Sequence, residues 1–144
     1  MKKNIIIRGS EELILSVSLL DIINQIEEPE KYSWNILWLE ACGELENGTI
    51  IELENKINDS KNGLLINFTE LSLLAKSFDQ VIEILLIGDK NSDKLKRYNN
   101  IEDLYSECYF CIELLDSSYW SIFSSNDQFI RNIQENLESV ELKK

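Results

Sequence analysis

CYFCIELLDSSYWSIFSSNDQFIRNIQENL, residues 108–137, decides how this chain is read. Its first eight residues are rich in aromatic and branched side chains, which fit a pleated surface. Asp116, Ser117 and Ser118 have turn chemistry, because short oxygen-bearing side chains hydrogen-bond the local backbone. YWSIF (119–123) then reads as a second strand, which makes the pair a β-hairpin. Ser125 is placed to cap a helix, with Gln128 three residues on in capping-box spacing. Behind it Phe129, Ile130, Ile133 and Leu137 recur at helical spacing. The stretch predicts strand, turn, strand and helix at the heart of a sheet.

Outward from that hairpin, NIIIR (4–8) reads as a first strand, and Ser10 as the cap of a helix running to Ile26. Glu11 and Glu12 favour the first turn of that helix, and Leu13, Val17, Leu20 and Ile23 continue one face. Pro29 ends it. YSWNILWLEAC (32–42) is a strand, with Trp34, Ile36, Trp38, Glu40 and Cys42 on one face and Asn35, Leu37, Leu39 and Ala41 on the other. Both faces are largely apolar, which predicts a central strand covered on each side.

Thr49 and Glu52 start a helix reaching Ser60, and Asn62-Gly63 turns the chain into a short extended segment, LLI (64–66). Asn67 or Thr69 caps a third helix to Phe78. VIEILLI (81–87) is a buried strand stopped at Gly88, interrupted only by Glu83. Lys90, Lys94, Lys96 and Arg97 fall in a link read as a solvated basic loop or short helix, followed by one or two helical turns at 101–105. The tail from Glu138 is expected to fray. The alternation predicts an α/β (α+β) fold: a mixed, largely central sheet of about five strands with helices packed on it, including the C-terminal hairpin followed by a helix.

With 144 residues, 44% of them hydrophobic, the chain is expected to form one domain, 1–144, with a single core. The apolar run after Met1 ends at Arg8, too soon for a signal peptide, and no stretch has the length of a membrane span. The expected location is the cytoplasm.

Cys42, Cys108 and Cys111 are the only cysteines. Cys108 and Cys111 have C-x-x-C spacing, but in a strand two side chains three apart face opposite ways. Buried, inert thiols are expected rather than a redox pair. With no histidine, zinc binding and His-dependent nucleophilic catalysis lose their usual ligands and base. No phosphate-binding glycine loop is present either.

Charge is the most informative bulk property: 26 acidic against 14 basic residues, a formal −12. Nucleic acid and anionic membrane are poor partners for such a surface, and the four basic residues of the 90–100 link make a small patch on it. A basic protein is a good partner, since complementary fields speed encounter. The same acidity also serves solubility alone.

Glu40, Glu83 and Glu113 each lie inside a strand-like run, where an unpaired charge is costly to bury. If their strands are neighbours and their faces coincide, they form an acidic patch. Such a patch can face a partner, hold Mg²⁺, or supply an acid/base pair; pairing with Arg8, Lys31 or Arg131 is the structural alternative. Trp34, Trp38 and Trp120 are expected in the core, and Tyr32, Tyr105 and Tyr119 near strand ends as core or as interface anchors.

KYSWNI (31–36) onward to Glu40, DQVIE (79–83) through Gly88, and 108–122 with DSSYW inside it carry a resemblance. They resemble a group of small bacterial proteins that includes immunity proteins, the antitoxins of polymorphic and contact-dependent growth inhibition systems. The resemblance covers about a third of the chain and implies a non-enzymatic protein. Such a protein binds the C-terminal domain of a cognate toxin, often a basic nuclease, and occludes its active site or substrate path. With the charge and ligand content above, no cofactor, no metal and no nucleic-acid or membrane partner is expected. The residues expected to meet the toxin are Glu40, Glu83, Glu113, Asp116 and Tyr119. The alternatives are a small carboxylate-dependent, metal-assisted hydrolase and a regulatory protein-binding module.

Overall fold

The computed structural model describes residues 2–9 and 16–143. Among the described residues seven strands form one sheet: β1 (Lys3–Arg8), β2 (Ser33–Gly43), β3 (Leu64–Ile66), β4 (Phe78–Asp89), β5 (Phe110–Leu115), β6 (Tyr119–Ser124) and β7 (Val140–Lys143). Their order is β3-β2-β4-β5-β6-β1-β7, and every neighbouring pair is antiparallel. The fold is thus α+β as expected, but the sheet is antiparallel rather than mixed and has seven strands rather than about five. The two added edges are LLI, read from sequence only as a short extended segment, and the tail expected to fray. Val140 pairs with Ile7 there, and Leu142 with Ile5.

Among the described residues four helices belong to the main core: α1 (Leu19–Ile23), α2 (Ile50–Asn58), α3 (Phe68–Ser77) and α5 (Asp127–Asn136). They bury Leu19, Ile22, Ile57, Leu71, Phe129 and Ile133 against inward residues of the strands, among them Ile5, Trp34, Leu86, Phe110 and Trp120. The buried indoles are satisfied, Trp120 Nε1–H by the Val17 carbonyl at 2.9 Å and Trp34 Nε1–H by that of Pro29 at 3.3 Å. Trp34 stands opposite Gly88, which lies inside β4 rather than ending it. A Cβ at Gly88 would overlap the Trp34 ring.

Helix α1 is shorter than the sequence predicted. Ser18 caps it, in a reciprocal capping box with Asp21, and Val17 is buried just before the cap. The cap expected at Ser10, with Glu11, Glu12, Leu13 and Ile14, lies outside the described residues. Thr49 and Asn67 cap α2 and α3 as read, each accepting from the backbone N–H three residues on. For α5 the cap is Asn126 rather than Ser125; its side chain accepts from Phe129 N–H at 3.0 Å.

The opposite face of the sheet is covered only in part among the described residues. There α4 (Ile101–Glu107) and the segment before it pack Leu95, Leu104 and Cys108 on Leu37, Ile87 and Cys111. Among the described residues no helix is long and apolar enough to cross a membrane.

Candidate functional site: an acidic sheet face

Two irregularities build this face. Between β2 and β4, Ile36 pairs with Leu86 but Trp38 with Leu85, so Leu37 is an extra residue on β2. A bulge of this kind shifts the alternation of every side chain beyond it. Trp34 and Ile36 therefore share the main core with Leu39 and Ala41, while Trp38, Glu40 and Cys42 emerge on the opposite face. Trp38, expected in the core, is 42% exposed for that reason. Further along, Glu40 pairs with Glu83 and Ala41 with Val81, which makes Ile82 an extra residue on β4.

Arg97 locks the first bulge. Its guanidinium donates to the carbonyls of Leu37 (2.7 Å), Ile57 (2.8 Å) and Ser60 (3.0 Å). Hence Arg97 is not part of a solvated basic loop; it ties the 90–100 link to β2 and to the carboxyl end of α2. Past β3, the edge of β2 is closed by α2 side chains: Asn58 exchanges two hydrogen bonds with Leu39, and Glu54 accepts from Ala41 N–H at 2.8 Å. An edge so occupied is not open to another strand.

The three strand glutamates meet. β2, β4 and β5 are consecutive, Glu40 pairs with Glu83, and Leu85 pairs with both Trp38 and Glu113. On one face this makes two adjoining rows, Trp38–Leu85–Glu113 and Glu40–Glu83. Directly opposite side chains sit about 4.5–5.5 Å apart at Cβ. Glu40 is exposed, and Glu83 and Glu113 are half-buried. The cations considered as their partners are engaged elsewhere: Arg8 with Glu141, Lys31 with Glu28, and Arg131 with Gln128.

Glu113 accepts a 2.8 Å hydrogen bond from the Tyr105 hydroxyl. Burial raises its pKa above the usual carboxyl value, against the Tyr105 hydrogen bond, and the Glu83 charge adds to the rise. Burial likewise raises the Tyr105 hydroxyl, which stays a donor. Its ring stacks on Phe123 at 4.0 Å, so it is partly core packing and partly support for the site.

Asp116 and Tyr119 flank the patch at the hairpin tip. Asp116 and Ser117 both have positive φ (47° and 57°), and Ser118 N–H closes the turn onto Leu115. Ser117 N–H donates to Ile82, the bulged residue of β4, at 2.7 Å, which holds the tip beside the Glu83 end of the sheet. Tyr119 is half-buried beneath the Arg8 guanidinium, 5.5 Å from its ring centre. Tyr32 packs among Trp34, Tyr109 and Phe110, so it belongs to the core.

The cysteines also depart from the strand reading. Cys108 ends α4 and only Cys111 lies in β5, so both thiols join the same apolar cluster instead of facing apart. Burial raises both thiol pKa values. Among the described residues no three Asp, Glu, Cys or His side chains are grouped so as to hold a metal ion. Compared with known proteins, the chain matches no family model, no curated protein and no solved structure.

Sequence reasoning missed Trp38 as a site residue. Its signal was visible in hindsight only as a register conflict: a strand apolar on both faces leaves no alternation to follow.

Proposed function

We propose that the protein is an immunity protein: a non-catalytic, acidic domain that binds a basic bacterial toxin domain and occludes its active site or substrate path. The observation that carries this reading is the convergence of Glu40, Glu83 and Glu113 on one partly uncovered sheet face. Like charges directly across a sheet are destabilising. A cationic partner offsets that cost on binding, whereas a protein acidic merely for solubility has no need to align its carboxylates on neighbouring strands. The −12 net charge acts in the same direction by steering a basic partner toward the molecule.

Among the described residues, Glu40, Glu83 and Glu113 are absent from the linings of the five cavities found around the molecule. Enzyme sites are concave and exclude water; an open carboxylate face suits contact with a second protein better than hydrolysis. Asp116 and Tyr119 extend the surface, and the protein works in the cytoplasm, where a toxin must be met.

Calorimetric titration with the C-terminal domain of the protein encoded immediately upstream tests this reading. Nanomolar binding that weakens with salt, with the toxin silenced at one equivalent, is expected. No binding at any salt concentration overturns it.

A further inference from the structure

We propose that Trp38 is the anchor of this face and that it receives an arginine side chain of the partner. The inference rests on the binding role argued above and names the chemistry of the contact.

The other two tryptophans are at most 1% exposed and donate to backbone carbonyls. Trp38 is 42% exposed, and among the described residues its indole N–H has no acceptor. Its outward position is not an accident of alternation. The regular strand pattern would place it with Trp34 and Ile36 in the core, and only the extra residue Leu37 turns it out. That bulge is held by Arg97 through the Leu37 carbonyl.

The surroundings define what would settle on the indole. Glu40 lies two residues along the same strand, Glu83 diagonally opposite, and Glu113 beyond Leu85 on the same row. A planar cation stacked on the ring can thus direct in-plane N–H groups to carboxylates on two strands. A guanidinium does both, since it stacks on aromatic faces and presents a fixed fork of donors. A lysine ammonium supplies charge without the planar stack. A cavity of about 260 Å³ opens at Leu85, the cross-strand neighbour of Trp38, with Leu37, Leu85, Ile101 and Leu104 on its apolar wall and Arg97, Tyr98, Asn99 and Asn100 on its polar one. The apolar wall offers the aliphatic stem of an incoming side chain a place to lie. Apolar centre and charged rim are the usual anatomy of a protein interface, with Trp and Arg its commonest anchors.

The test uses the whole chain with deca-arginine and deca-lysine as probes at low ionic strength, followed by tryptophan emission and calorimetry. Deca-arginine should bind the wild type about tenfold more tightly than deca-lysine, an aromatic-stacking increment, and shift the Trp38 emission. Trp38→Leu should lower deca-arginine affinity more than deca-lysine affinity, shrinking the preference severalfold in a variant that keeps its circular dichroism spectrum; Trp38→Phe should retain part of it. Equal affinity of the wild type for both probes, or an arginine preference undiminished in Trp38→Leu, overturns the inference. Neither result bears on the upstream domain, whose failure to bind would be seen in its own titration.

Discussion

Glu40 and Glu83 stand directly across from one another on β2 and β4, on a face where neither has a cationic partner among the described residues. Two bulges, at Leu37 and Ile82, bracket the pair. Bulges re-aim side chains and are common beside functional sites. Here the first places Trp38 and Glu40 outward, and the second frees the Ile82 carbonyl to hold the hairpin tip that carries Asp116.

Removing one charge of the pair should stabilise the free protein. Glu83→Gln is expected to raise unfolding free energy by about 0.2–1 kcal/mol, the range for a cross-strand pair. Urea denaturation should show the gain shrinking with added salt. A loss of stability would mean that the two carboxylates do not repel.

Glu113 sets a pH dependence whose sign follows from its raised pKa. Protonated, it carries no desolvation cost; as pH rises through its folded pKa, the charged form must be accommodated and stability is lost. The full contribution is therefore present below the ordinary value of 4.5 and declines above it. Glu113→Gln should gain stability relative to wild type as pH rises from 4.5 toward neutrality. Urea midpoints of both proteins across that window check the sign. Partner binding should also release protons near the raised pKa, visible as buffer-dependent calorimetric heats.

Gly88→Ala should destabilise the fold by about 1–3 kcal/mol, the usual cost of overpacking. The new methyl meets the Trp34 ring, which has no free side to move into. Near-ultraviolet circular dichroism should report the displaced indole.

Arg97→Ala leaves three carbonyls without their donor, and a loss of about 2–3 kcal/mol is expected for hydrogen bonds to a charged group. Arg97→Lys should recover little, since an ammonium cannot reach three divergent acceptors as a guanidinium does. Hydrogen exchange at Leu37 and Trp38 would locate the effect at the bulge.

Most of the fold was legible where local chemistry and periodicity agree. The hairpin of β5 and β6, the caps at Thr49 and Asn67 and the apolar run of β4 needed no tertiary information. What was not legible is register. In β2 both faces are apolar, so nothing in Trp34 to Cys42 marks Leu37 as the extra residue. Its bulge follows from pairing with β4 and from Arg97, sixty residues away. The tail strand β7 likewise exists because β1 offers it an edge; Val140 to Lys143 has little strand character of its own. The site was half legible. Three strand glutamates could be named, but their meeting depends on the order β2-β4-β5, which no spacing reveals.

The most direct test of the account replaces Glu40, Glu83, Glu113 and Asp116 together by lysine and measures association with the upstream-encoded domain against wild type. The account predicts that association slows by orders of magnitude, that its salt dependence is lost, and that toxin activity is no longer silenced. Unchanged association by a quadruple variant that keeps its fold would contradict it.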